Sequence, residues 1–210
     1  MVVTLTYFNG RGLAEPIRII LAYGGEKFEE VRVPIVFPPS LPEEVRNKCT
    51  WGQVPLVEFE GKKLSQSLAI TRYFARKHNL VPKDDFEAAL CDEYVDACRD
   101  FMNLWTPIVH LIAKKEEEGL KEKKDEVQTI SKQKFLNVFN SIVEKNGGKR
   151  LVGKSITWAD IYLTHALQNI EMITGLSLVS EFPALKELMN EVLNVPSIKS
   201  WIEKRPKTPL

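Results

Sequence analysis

The chain has 210 residues, enough for one large domain or two small ones, and its 44% hydrophobic and 27% charged content is globular rather than disordered. Its 29 Lys and Arg against 28 Asp and Glu leave a net charge of +1, without the basic excess of a nucleic-acid binder or any charge reason to propose a membrane partner. The expected partner is a small molecule or another subunit.

Cys49, Cys91 and Cys98 are the only cysteines, an odd count without the tight spacing of a disulfide framework. Cys91 and Cys98 share one face of a predicted helix with no histidine at ligand spacing, so they read as small buried side chains and no metal site is expected. The N-terminus lacks the basic segment and apolar run of a signal peptide, and no stretch is apolar enough to span a membrane. A cytoplasmic location is expected.

Residues 2–8 alternate β-branched and aromatic side chains, which predicts a strand, and residues 9–12 predict a turn. Pro16 suits the first turn of a helix whose apolar stripe is Ile17, Ile20 and Leu21, stopped by Gly24 and Gly25. A second strand is predicted at 28–33. Pro34, Pro38 and Pro39 then bar a regular helix or interior strand, and 42–48 predicts one or two helical turns. Short strands at 56–59 and 62–65 flank a Glu60-Gly61 hairpin turn, and 67–78 predicts a helix with Leu68, Ile70, Tyr73 and Phe74 on its apolar side. The order is β-α-β, a connection, then β-β-α.

Residues 1–79 therefore read as one domain, 80–85 as a linker around Pro82, and 86–210 as an all-helical domain. Within the latter, 86–113 predicts one long helix bent near Pro107, and the charged stretch 114–125 around Gly119 a solvated loop or helix end. An amphipathic helix is predicted at 127–144, ended by Asn146-Gly147-Gly148. Thr157 can cap the next helix, with Asp160 three residues on reaching back to the cap's own N–H. Two further helices, 182–194 and 197–204, start near Pro183 and Pro196.

Four motifs, in order along the whole chain, resemble glutathione transferases. They are Tyr7-Phe8-Asn9-Gly10-Arg11-Gly12 with Ala14-Glu15-Pro16-Ile17-Arg18; Gly52-Gln53-Val54-Pro55-Leu56-Val57 with Gln66-Ser67-Leu68-Ala69-Ile70; Ser155-Ile156-Thr157-Trp158-Ala159-Asp160; and Trp201-Ile202-Glu203-Lys204-Arg205-Pro206. The last resembles the sigma class in particular, with prostaglandin D synthase among its relatives. The resemblance implies a thioredoxin-like α/β N-terminal domain, an all-α helical-bundle C-terminal domain, a homodimer, and glutathione as co-substrate with no further cofactor.

Conjugation to glutathione needs its thiolate, since the thiol is a poor nucleophile and, with a pKa of about 8.5, is only a few per cent ionised at neutral pH. A tyrosine hydroxyl stays protonated there and can donate to the anion. Tyr7, ending the first strand before a Gly-rich turn, matches the family's catalytic tyrosine. Arg11 either biases the thiolate electrostatically or is a surface ion-pair residue. Tyr23, Tyr73, Tyr94 and Tyr162 fall on helical apolar faces and read as packing residues.

For the rest of glutathione, the resemblance implies backbone pairing of the cysteinyl unit with Val54, ahead of a cis Pro55; read from the sequence alone, that bond is expected trans. Gln66 and Ser67 open a helix whose N-terminus would hold the γ-glutamyl carboxylate, or Ser67 is a plain cap. Asp100 matches the acid that reaches the γ-glutamyl amine from a neighbouring subunit. At the glycine end the match frays: Arg46 is the stand-in for a usual Lys, Phe37 for a Trp, Gln53 replaces a common Lys, and Leu13 stands where Arg is frequent. The second substrate is expected to be an apolar electrophile, walled by Phe8, Leu13, Met102, Trp105 and Leu210.

A thioredoxin-type oxidoreductase would need a cysteine after the first strand, and residues 7–12 hold none. Gly10-Arg11-Gly12 fails as a dinucleotide loop because Glu15 stands where the third glycine belongs. A glutathione-dependent isomerase or peroxidase acting on prostaglandins or lipid peroxides, and a non-enzymatic crystallin-like binding protein, remain as alternatives.

Overall fold

The computed structural model describes residues 2–36 and 39–208. Two compact units divide it, one of residues 1–80 and 195–210 and the other of residues 81–194.

The first unit is built on four strands, β1 (Val3–Phe8), β2 (Phe28–Val33), β3 (Leu56–Phe59) and β4 (Lys62–Ser65), in the order β2-β1-β3-β4. β1 runs parallel to β2 and antiparallel to β3, and β3 pairs antiparallel with β4 across the Glu60-Gly61 turn. Parallel β1 and β2 need a crossover, which α1 (Glu15–Tyr23) supplies. α1 packs beside α3 (Ser67–Lys77), and Ile17, Ile20, Leu21, Ile70 and Phe74 are buried with Val3, Leu5, Leu56 and Val57 of the sheet. A short α2 (Glu43–Lys48) lies between β2 and β3. The chain's last helix, α9 (Pro196–Lys204), returns to this unit and packs on α1.

The second unit holds α4 (Asp85–Lys114), α5 (Leu120–Ser131), α6 (Asn137–Lys145), α7 (Trp158–Thr174) and α8 (Pro183–Leu193). α4 runs through Pro107, which is exposed, and starts at an Asp84 cap that accepts from the N–H groups of Phe86 and Glu87. Of the charged stretch expected as a loop or helix end, residues 115–119 form a loop and residues 120–125 the mostly exposed first turns of α5. Gly119 adopts a left-handed conformation at φ 64°, and α5 starts behind it with lysines and glutamates that favour helix. A single π turn, Lys132–Leu136, joins α5 to α6. α7 is the core helix, with Trp158, Ile161, Tyr162, Leu163, Ala166 and Leu167 fully buried against α4 and α8. Cys49, Cys91 and Cys98 are all buried and unbridged, and burial pushes the Cys91 thiol up to about 12. Among the described residues no helix is long and apolar enough to cross a membrane.

The α/β unit with its four-stranded sheet and the helical unit are the thioredoxin-like and helical-bundle architectures the sequence implied. Of the four tyrosines expected in packing, Tyr162 is buried whereas Tyr73 is 43% exposed, its ring lying against Phe59 and Phe74 with centroids 5.3 and 5.1 Å away.

Candidate active site

β1 ends at Tyr7 and Phe8, whose half-buried rings meet edge to face with centroids 5.7 Å apart. The chain then reverses through Asn9–Arg11 into a 3₁₀ turn, Gly12–Ala14, that leads directly into α1. This turn folds back on Tyr7, and the backbone N–H of Leu13 donates to Tyr7 Oη at 3.0 Å. A phenol oxygen that already accepts one hydrogen bond is a better donor through its own hydrogen, because the two bonds polarise each other. Leu13 was expected to act through its apolar side chain; its main chain also bears on the tyrosine.

Gly12 is required at this point. It sits at φ +38°, a region side chains disfavour, and a Cβ there would lie 2.6 Å from Tyr7 Oη. Gly12→Ala is therefore expected to displace the hydroxyl and lower kcat by about 10- to 100-fold, as sub-ångström to 1 Å misplacements do. Thermal stability should fall far less. Steady-state kinetics beside a melting curve checks both.

A buried ionic cluster lies under the turn. Arg18 of α1 donates through Nη1 to Gly10 O at 2.9 Å, to Arg11 O at 3.4 Å and to Glu15 Oε2 at 3.0 Å, and through Nε to Glu30 Oε1 at 2.6 Å. Its guanidinium carbon stands 5.9 Å from the centre of the Tyr7 ring. Glu15 Oε1 accepts from Trp201 Nε1 at 2.9 Å and from Arg205 at 2.8 Å. Burial by itself would push the Glu15 carboxyl up, but Arg18, Arg205 and the Trp201 N–H together hold it below the ordinary range. Burial and the neighbouring Arg205 guanidinium depress Arg11, against the pull of Glu15, and Arg11 Nε is buried with no hydrogen-bond partner among the described residues. Arg11 is thus no simple surface ion-pair residue. Glu15 and Arg18 escaped the sequence reading as functional candidates, although a charged i, i+3 pair inside an otherwise apolar helix is a usable signal.

Across the sheet, the Val54–Pro55 bond is cis, with Pro55 buried and Val54 half-buried at the start of β3. Gln66 takes the strained conformation φ 72°, ψ 112° immediately before α3, and its side chain makes no cap. Ser67 is the first helical residue rather than a cap and is 6% exposed. Arg46 of α2 lies against Gly52, where a Cβ would meet its Cγ at 3.3 Å, and its guanidinium donates to Leu41 O at 3.2 Å. Arg46 is therefore drawn to the Gly52–Gln53 approach to the cis-proline, and both Arg46 and Gln53 are exposed.

In the helical unit, α4 carries Asp100, exposed, Met102, half-buried, and Trp105, fully buried. Phe37 and Leu210 fall outside the described residues.

The model of the glutathione S-transferase N-terminal domain matches residues 3–76, and that of the glutathione S-transferase C-terminal domain matches residues 102–205. Glutathione S-transferase 1 of Ascaris suum is 37% identical over 209 residues, covering 98% of this chain and 97% of its own. Among solved structures, a Necator americanus glutathione S-transferase described as monomeric superposes with a TM-score of 0.88 at 34% identity, covering 100% of both chains. Prostaglandin synthase D of Nilaparvata lugens superposes at 0.83 with 31% identity, covering 99% of this chain and 100% of its own. Whole-length identity of this order, on a shared two-unit architecture, shows that the chain belongs to the glutathione S-transferase family and is an enzyme of that family.

Proposed function

We propose a sigma-type glutathione transferase of the cytoplasm in which the Tyr7 hydroxyl stabilises the glutathione thiolate, which attacks an apolar electrophile in a detoxifying conjugation. The observation that carries this reading is the Leu13 N–H bond to Tyr7 Oη. It fixes the hydroxyl and strengthens it as a donor to an anion. A drop of about 2 units in thiol pKa requires roughly 2.7 kcal/mol, and one hydrogen bond to a charged group is worth ~1.5–3 kcal/mol. In the conjugation the thiolate sulfur forms a bond to the electrophilic carbon while the leaving group departs with its electron pair, or a conjugated acceptor takes up the charge and then a proton. Tyr7 keeps its own proton throughout.

The remaining assignments follow the same reading. Val54 and Pro55 offer the backbone edge for the cysteinyl unit, and the N–H groups of α3 with Gln66 and Ser67 take the γ-glutamyl carboxylate. Arg46 and Gln53 serve the glycine end, Asp100 reaches the γ-glutamyl amine of a second subunit, and Phe8 and Leu13 offer apolar surface to the electrophile. The terminal Trp201-to-Pro206 motif supports the sigma assignment, and three reduced, buried cysteines support the cytoplasm. Titrating the ultraviolet absorbance of bound thiolate tests the core of the proposal. The expected pKa lies between about 6 and 7. Binding without a shift would indicate a carrier or a crystallin-like protein, and no binding would remove the glutathione site.

Homodimerisation is part of the proposal. Trp51 is 67% exposed on the segment leading to the cis-proline, and Tyr73 is exposed on α3 of the same unit; large aromatics are over-represented at interfaces. Sedimentation should give twice the 24.0 kDa of the chain, and Trp51→Ala should shift the balance toward monomer. A wild-type mass of 24.0 kDa at micromolar concentration would refute the dimer.

A second reading, glutathione-dependent isomerisation of a prostaglandin-like substrate, is supported by the likeness to the Nilaparvata lugens prostaglandin synthase D. It uses the same thiolate and differs in releasing glutathione unchanged, so product analysis separates the two.

A further inference from the structure

Below the thiol-activating turn lies a group of buried ionic residues that the proposed chemistry does not use: Glu15 with Trp201 of α9 and Arg205 at its end. We propose that Arg205 and Trp201, acting through Glu15 and Arg18, are positioning residues that set the geometry of Tyr7, so that the C-terminal helix governs how strongly the bound thiol is activated. The inference rests on the reading of Tyr7 as the thiolate donor.

The route is short. Arg205 and Trp201 both bond Glu15 Oε1, at 2.8 and 2.9 Å, while Glu15 Oε2 holds Arg18 Nη1 at 3.0 Å. Glu15 is 1% exposed and Arg18 1%, so neither can exchange these partners for bulk water without a large desolvation imbalance. Arg18 then meets the tyrosine from two sides. Its guanidinium lies 5.9 Å from the Tyr7 ring centre, and its Nη1 grips the carbonyls of Gly10 and Arg11, the residues that launch the 3₁₀ turn. That turn delivers the Leu13 N–H to Tyr7 Oη. Both the ring and the hydroxyl are thus held by one guanidinium, whose own place is fixed by a carboxylate that α9 completes. The Trp201 ring also packs on Phe28 of β2 at 5.2 Å, tying the helix to the sheet.

Helix stability alone does not call for this arrangement. The acceptor sits at the first turn of α1, where any carboxylate would serve the helix, yet three separate donors from residues 18, 201 and 205 converge on Glu15. Of the three, Arg18 carries on to the carbonyls of the tyrosine's turn, and the other two complete the carboxylate that holds it.

The test is a double-substitution cycle on the full chain. The pKa of bound glutathione thiol is measured by thiolate absorbance in wild type, Arg205→Gln, Tyr7→Phe and the double variant, with Arg205→Lys as rescue and Trp201→Phe as an independent lesion that keeps a ring on Phe28. Arg205→Gln should raise the thiol pKa by about 0.5–1 unit and lower kcat at pH 6.5 by about 3- to 10-fold, with the glutathione KM within about twofold of wild type. Arg205→Lys should recover most of the shift, and Trp201→Phe should give a smaller one of the same sign. In the Tyr7→Phe background, Arg205→Gln should add almost nothing, because its effect runs through the hydroxyl. An equal shift in both backgrounds would make Arg205 a direct electrostatic partner of the thiolate and overturn the positioning role. A lowered melting temperature with an unmoved thiol pKa, in both Arg205→Gln and Trp201→Phe, would make the cluster purely structural and also overturn it. A thiol pKa that Tyr7→Phe itself leaves unmoved would overturn the reading of Tyr7, a result distinct from either.

Discussion

Tyr7→Phe should raise the pKa of enzyme-bound glutathione thiol by about 1–2 units, the equivalent of losing one hydrogen bond of ~1.5–3 kcal/mol to an anion. Below the wild-type thiol pKa both enzymes lose thiolate tenfold per pH unit, so the deficit in kcat there is constant at about 10- to 100-fold. Between the two pKa values the wild type is already saturated with thiolate while the variant is not, and the deficit shrinks as pH rises. Above about pH 8.5 the two should converge to within a few-fold. This pH dependence separates activation from mere damage, since a distorted site would lose activity at every pH. The substitution also strips the Leu13 N–H of its acceptor, a part-buried bond, so a stability loss of about 1 kcal/mol should accompany it. Glutathione affinity should change little, because the carboxylates and amine of the tripeptide are held elsewhere. A full set of kcat and KM values from pH 5.5 to 9, with a melting curve, checks each part.

The contrast between what was legible in the sequence and what was not follows the range of the interactions. Strands, crossover and hairpin could be read because their signals are local: alternation at 2–8, Pro16 at a helix start, Glu60-Gly61 at a turn. Asp160 could be placed opposite Thr157 because a capping box is a four-residue pattern. The charged stretch 114–125 reads as a solvated loop or helix end and is both, but the start of α5 within it is not legible, because lysines and glutamates suit a solvated loop and a helix alike until Gly119 starts the turn. The Tyr7 site was visible only as a family pattern. Its physical basis, a backbone donor six residues on and a guanidinium eleven residues on, has no signature in residue type for the first and a weak one for the second. Least legible was the part of the cluster supplied by α9. Trp201 and Arg205 meet Glu15 across 186 and 190 residues, and no periodicity or spacing rule links positions that far apart. Residues 86–210 read as one helical domain from their secondary structure, whereas α9 packs on α1 within the first unit through tertiary contacts that a single sequence does not display.

The largest stability effect should come from Asp160, at the start of the core helix of the second unit. Its carboxylate is fully buried and accepts from the Leu151 N–H through Oδ1 at 2.8 Å, and through Oδ2 from the Thr157 N–H at 2.8 Å and the Thr157 hydroxyl at 3.1 Å. Thr157 in turn accepts from the helix backbone at Asp160, closing a capping box at the start of α7. One side chain therefore both starts the core helix of the second unit and ties it to the Leu151 segment before it. Asp160→Ala would leave two buried N–H groups without acceptors at ~1–3 kcal/mol each and open a small cavity, a total of about 3–5 kcal/mol. Against a typical stability of about 5–15 kcal/mol, such a variant should melt far below wild type or accumulate unfolded at 37 °C. Asp160→Asn keeps the volume but replaces one acceptor oxygen with a donor, and should cost about half as much. The two variants also differ from wild type in pH response. Burial pushes the Asp160 carboxyl from 3.8 up to about 6, against the lowering by its hydrogen-bond donors and Arg150. Because the folded value lies above the unfolded one, protonation favours the fold: this group's contribution is fully present below about pH 3.8, declines as pH rises through 6, and is constant above that. Asp160→Asn removes the titration, so its stability deficit relative to wild type should be larger at pH 4 than at pH 7. Denaturant melts of both variants at the two pH values provide the measurement. A deficit of less than 1 kcal/mol for Asp160→Ala would mean that the Leu151 and Thr157 donors find other acceptors, and that the start of α7 is held by packing of Trp158 and Ile161 instead.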